Sequence, residues 1–191
     1  MTPPRVLLLH GIWESGAQME PLRLALERAG RTAETLDLVP SSGEATLPEL
    51  AAQLGARVDA LGGGPVDVVG FSMGSLVART WLQRHGGRER ARKFVSISGP
   101  HAGTLAAYFS GKAGARQMRP GSALLRDLAS DPDPWGDVEV HSLWTPFDLM
   151  IVPARSSRLP RVASERRFAV PLHAQMVTSP RVLEAVVALL R

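Results

Sequence analysis

Val66-Asp67-Val68-Val69-Gly70-Phe71-Ser72-Met73-Gly74-Ser75 is the stretch whose reading decides the fold. Its valine-dominated run, entered through the turn signals Gly62-Gly63-Gly64-Pro65, predicts a short buried strand. Leu76, Val77, Thr80, Trp81 and Arg84 then recur at three- and four-residue spacing, which predicts a helix. Between the two stands Gly-x-Ser-x-Gly. A turn this tight strains the serine backbone, and side chains at its flanking positions would collide with neighbouring segments. Glycine at 70 and 74 removes those collisions and leaves the Ser72 hydroxyl above the sheet edge. The bare pattern would arise by chance in roughly one such chain in ten. Its weight comes from the strand before it and the helix after it, against the plain alternative of a glycine-rich turn that carries a serine.

Outward from this centre, apolar runs and turn residues alternate. Val6 to Leu9 reads as a buried strand ending at His10-Gly11, and residues 18–29 as a helix stopped near Gly30. Thr32 to Val39 reads as a strand, and Thr46 caps a helix over 47–61. Phe94 to Ile97, Val138 to Trp144 and Arg167 to Val170 are further strands, with a helix at 122–129 and a last one from Pro180 to Leu190. Gly111 to Gly114 reads as flexible, and Asp131 to Pro134 as a solvated, proline-broken loop. Strands alternating with helices predict right-handed crossovers and a mainly parallel six-stranded α/β sheet covered on both faces.

Length and composition predict one globular domain spanning 1–191, with 45% hydrophobic and 21% charged residues. Net charge is +4, carried by arginines scattered without a dense basic tract, which argues for codon bias and against a nucleic-acid partner. The absence of cysteine excludes disulfides and thiolate chemistry. No apolar run approaches the ~20 residues of a membrane span. The apolar run at the start is too short for a signal peptide, so a cytoplasmic location is expected.

A serine hydroxyl near neutral pH needs a base, and the base needs an orienting acid. After a serine on this type of turn the expected order is acid, then histidine. His173 alone occupies a loop between the last strand and the C-terminal helix, where a base would hang over Ser72; His141 reads as a structural strand histidine. The candidate acids after Ser72 are Asp127, Asp131, Asp133, Asp137, Glu139 and Asp148, then Glu165. Asp148 is preferred. It follows the 138–144 strand at the sheet's carboxyl end, and its neighbours Phe147, Leu149, Met150, Ile151 and Val152 would leave an unpaired carboxylate desolvated. The alternative is an aspartate that caps a turn. The backbone N–H groups of Met73 and of Ile12, in the loop after the first strand, are the expected oxyanion donors.

The chain resembles a small α/β-hydrolase of the lipase/esterase kind. His10-Gly11, Gly70-Phe71-Ser72-Met73-Gly74, Gly99-Pro100-His101-Ala102-Gly103-Thr104, Asp148 before Ile151-Val152-Pro153, and His173 carry the likeness in order over nearly the whole chain. The resemblance implies ester hydrolysis through an acyl-serine, with no metal or organic cofactor. Two departures stand out. Phe71 occupies the place where the family usually has histidine, and the family's usual first two strands are missing, leaving a minimal sheet like that of the smallest bacterial lipases.

Residues 99–137 exceed what a bare connection needs and read either as a small cap or lid, placed between strands five and six, or as an ordinary packed helix. The Leu105–Phe109 patch could then cover an acyl pocket. Arg155, Arg158, Arg161, Arg166 and Arg167 cluster near the expected rim, as a solvated basic loop or as a site for anionic head groups. The partner expected is a small acyl ester, lipid-like or soluble. The alternatives are a thioesterase, amidase or acyltransferase using the same residues, and a non-catalytic binding protein on the same fold.

Overall fold

The structure is a computed structural model that describes residues 3–62 and 64–191; Met1, Thr2 and the Gly63 of the predicted turn lie outside the described residues. Six strands form one sheet: β1 (Arg5–Leu9), β2 (Ala33–Leu36), β3 (Val66–Phe71), β4 (Ala91–Ile97), β5 (Glu139–Trp144) and β6 (Ser164–Arg167). Their order is β2-β1-β3-β4-β5-β6, and every neighbouring pair is parallel. Among the described residues the α-helices are α1 (Glu20–Arg28), α2 (Leu47–Ala60), α3 (Met73–Arg84), α4 (Ala113–Gln117), α5 (Ala123–Ala129) and α6 (Pro180–Leu189), with short 3-10 turns between elements.

The continuous apolar runs follow from burial on both faces. Alternate side chains of β1 divide between two cores: Leu7 and Leu9 pack with α2 and α3, whereas Val6 and Leu8 pack with α1 and α6. Every residue of β3 is buried, as its central place requires. The predicted Thr46 cap holds as a capping box, in which the Thr46 side chain accepts from the Glu49 N–H and the Glu49 carboxylate accepts from the Thr46 N–H. Such a cap is worth about 1 kcal/mol.

The chain steps from β1 outward to β2 and then back across β1 to β3. The order therefore reverses between β1 and β3, which is where sheets of this kind place their sites, at the carboxyl ends of the strands.

Three expectations are corrected. The last strand is 164–167, not 167–170, and it is a mostly exposed polar edge with no apolar run to mark it in the sequence. The 99–137 stretch joins β4 to β5, one connection earlier than expected. Within it, the end of the Gly111–Gly114 segment expected to be flexible is the start of α4, because Gly114 packs directly on the backbone of Ala45 and its N–H donates to the Gly43 carbonyl at 2.9 Å. Ala107, Met118, Leu125, Leu128 and Trp135 of this stretch are part of the buried core. Among the described residues, no helix is long and apolar enough to cross a membrane.

Candidate active site

Ser72 sits between β3 and α3 with φ 53° and ψ −120°, a left-handed backbone that a non-glycine residue adopts only under strong constraint. The constraint is visible in its flanks. A Cβ on Gly70 would lie 2.5 Å from the Ser75 Cα, and one on Gly74 would lie 2.6 Å from the carbonyl oxygens of Leu9 and His10. Only glycine lets the turn close against β1. The Ser72 N–H donates to the Ile97 carbonyl at 2.9 Å, and the Ser75 hydroxyl donates to Gly70 O at 2.5 Å, so the turn is tied to β4 and to itself.

His173 and Asp148, 25 positions apart, come together. The His173 Nδ1–H donates to Asp148 Oδ2 at 2.7 Å, which leaves Nε2 as the ring's lone-pair nitrogen. The other carboxylate oxygen accepts from the N–H groups of Met150 at 2.9 Å and Ile151 at 2.8 Å. The Asp148 side chain is 1% exposed, so its charge is held by three donors in place of water. The imidazole also lies against the Phe71 ring, next in sequence to Ser72, with centroids 4.7 Å apart. Among the described residues no hydrogen bond joins Ser72 Oγ to this imidazole.

Ser72 opens into a cleft of about 440 Å³, counting solvent-open space. Its walls are mainly apolar: Ile12, Trp13, Pro100, Ala106, Ala107, Ala115, Met118, Met150 and Ile151, with Thr104 and Ser110. Ile12 lines the cleft with Ser72, and the N–H groups on either side of it are committed: Gly11 to Gln18 Oε1 at 2.9 Å and Trp13 to Ser41 O at 3.0 Å. Met73 is the first residue of α3, where a backbone N–H has no acceptor within the helix.

Several residues that the sequence offers only as part of the resemblance, without a role, prove to be supports whose partners are mostly distant in the chain. His10 Nε2 accepts from the Leu38 N–H at 2.9 Å, so its Nδ1–H donates to Gly11 O at 2.8 Å and fixes the loop that carries Ile12. Thr104 Oγ1 donates to Met150 O at 2.7 Å and accepts from Val152 N at 3.0 Å, tying the loop after β4 to the Asp148 turn. His101, buried, shares a 2.7 Å hydrogen bond with Ser96 Oγ, and its carbonyl accepts from Arg79 at 3.1 Å. Burial foremost, then the neighbouring Arg79, holds the His101 pKa well below the usual histidine range. Burial likewise lowers the Arg79 guanidinium to about 10.

The remaining candidates lie elsewhere. Asp131 is not in a solvated loop for its own sake: its side chain is 7% exposed and pairs with Arg84 at 2.9 Å. Glu165 pairs with Arg158 at 2.9 Å on the edge strand, and Asp127 with Arg84 at 2.7 Å. None of the arginines expected near the rim lines the cleft. Among the described residues, no group of three histidine or carboxylate side chains is placed to hold a metal ion.

A family model described as the alpha/beta hydrolase fold matches residues 4–119. The chain belongs to the α/β-hydrolase family. A lipase from Bacillus licheniformis in its mature form superposes on this α/β-hydrolase with a TM-score of 0.83 at 14% identity, covering 99% of this chain and 92% of that one. Lipase B of Aspergillus fumigatus gives 0.81 at 14% identity over 97% of this chain and 52% of its own. A thermophilic esterase from Thermogutta terrifontis gives 0.71 at 18% identity, covering 100% and 90%. At these identities the likeness is one of fold. A comparison with curated protein sequences finds no match.

Proposed function

We propose that this α/β-hydrolase is a serine hydrolase that cleaves carboxylic esters through an acyl-serine intermediate. The observation that carries the reading is the buried Asp148–His173 pair beside Phe71, next to a strained serine that lines an apolar cleft.

His173 Nε2 takes the Ser72 proton as Oγ attacks the ester carbonyl. Asp148 keeps the proton on Nδ1 and stabilises the imidazolium, without itself becoming protonated. The N–H groups of Ile12 and Met73 receive the oxyanion, each worth ~3–4 kcal/mol of barrier. The imidazolium then protonates the leaving alcohol. In the second half His173 draws a proton from water, which attacks the acyl-serine, and returns it to Ser72 Oγ as the acid is released. The acyl part occupies the apolar cleft of this single domain, and the first half of the 99–137 stretch supplies one of its walls through Pro100, Ala106, Ala107, Ala115 and Met118. The lipase and esterase names of the structural neighbours agree with this substrate class.

The test is turnover of p-nitrophenyl acetate, butyrate, octanoate and palmitate by the wild-type enzyme. Turnover of any of them above the buffer rate is expected, with the chain-length profile separating esterase from lipase. Failure on all four, together with cleavage of acyl thioesters or anilides, would transfer the same residues to thioesterase or amidase chemistry.

A further inference from the structure

The large apolar side chains left in water are not scattered. Of ten that are substantially exposed among the described residues, nine lie on loops leaving the carboxyl ends of the strands; Leu24 on α1 is the exception. They include Trp13 after β1, Tyr108 and Phe109 after β4, Phe147 and Leu149 after β5, and Leu172 after β6. Because every strand is parallel, all these loops share one edge of the sheet, the edge that holds Ser72. Phe109 is 96% exposed and Leu149 78%, values far from those of packed side chains. Trp13 and Met150 belong both to this rim and to the wall of the cleft, so the rim and the cleft form one continuous apolar surface.

Its charge is net positive. Segments 98–119, 145–163 and 168–179 hold most of the rim and contain six cations, Lys112, Arg116, Arg119, Arg155, Arg158 and Arg161, against one carboxylate, Asp148, which is buried on His173; the loops that carry Trp13 and Val39 add Glu14, Asp37 and Glu44. Lys112 and Arg158 meet Glu44 and Glu165 from outside these segments. Arg116 and Arg155 are exposed and make no ion pair among the described residues.

An exposed apolar patch bordered by cations is the surface that adsorbs to anionic lipid, burying its apolar side chains at the headgroup boundary. We propose that the rim at the carboxyl edge docks this protein on an anionic phospholipid surface, with the cleft opening directly into the lipid. The inference deepens the ester-hydrolase reading, on which it rests for what the surface delivers to Ser72.

Docking is tested apart from catalysis by using the Ser72→Ala protein. Its sedimentation with phosphatidylcholine vesicles containing phosphatidylglycerol is compared with that of the same protein carrying Phe109→Ser and Leu149→Ser. The expected result is binding that the double substitution weakens about tenfold or more, with weaker binding to vesicles of phosphatidylcholine alone. The two serine substitutions should leave the melting temperature unchanged, since both side chains stand in water. No sedimentation, or sedimentation indifferent to the double substitution and abolished by salt alone, would overturn the proposal. So would light scattering that shows a dimer dispersed by the same substitutions, since the rim would then cover a second copy. Vesicle binding without ester turnover would leave docking standing and remove the hydrolase reading; turnover without binding would do the reverse.

Discussion

The Phe71 ring packs against the His173 imidazole, with planes tilted by 36°. Phe71 is itself 1% exposed, so the imidazole rests on a wall that the core cannot easily move. A rotating imidazole would lose reactive geometry even with its aspartate in place. Phe71→Leu, which keeps an apolar side chain there, is expected to lower kcat about tenfold with little change in KM. Steady-state kinetics on p-nitrophenyl butyrate check this; an unchanged kcat would mean that the contact is packing alone.

Asp148→Asn keeps the oxygen that accepts from Met150 and Ile151 but offers His173 an amide in place of a carboxylate. The wrong tautomer and an unsupported imidazolium should reduce kcat by on the order of 10⁴. The melting temperature should fall by only a few degrees, since two of the three hydrogen bonds survive. Differential scanning calorimetry beside the kinetics separates this outcome from simple unfolding.

The elbow glycines make a steric prediction. Gly74→Ala drives a methyl group onto backbone carbonyls at the end of β1 and should cost at least about 1–3 kcal/mol. Gly64→Ala meets nothing within 4 Å and should be close to neutral. Urea midpoints of the two variants give the comparison directly, and equal midpoints would contradict the packing described for the elbow.

His101 makes stability depend on pH. In the unfolded chain it takes a proton near the ordinary value of about 6.5, whereas in the fold burial keeps it neutral to well below that. Its neutral-state contribution is therefore complete above about pH 6.5 and is lost as pH falls below it, by up to about 1.4 kcal/mol per pH unit. His141, lowered chiefly by burial, acts with the same sign. His101→Gln should flatten the decline between about pH 6.5 and 5.5, measured as urea midpoints at each pH.

The sequence made the centre of this protein legible because its constraints are local: a tight turn needs glycines within two residues, and a central parallel strand must be apolar throughout. His173 and Asp148 were legible by position, each following a strand at the carboxyl edge. What could not be read depends on distant contacts. The bond from Leu38 to His10 spans 28 positions, and the pairing of Asp131 with Arg84 spans 47. The β6 edge was misplaced because Ser164-Glu165-Arg166-Arg167 pairs through its backbone while presenting polar side chains to water. The apolar rim is spread over separate loops that only the parallel sheet brings to one edge.

The central claim is that Ser72 carries the acyl group, and rapid-quench mass spectrometry of the enzyme with p-nitrophenyl butyrate tests it most directly. The expected result is a butyryl mass increment on the peptide containing Ser72, formed in a burst with p-nitrophenol and absent from Ser72→Ala, whose turnover falls by several orders of magnitude. A butyryl adduct on another residue, or full turnover by Ser72→Ala, would contradict it.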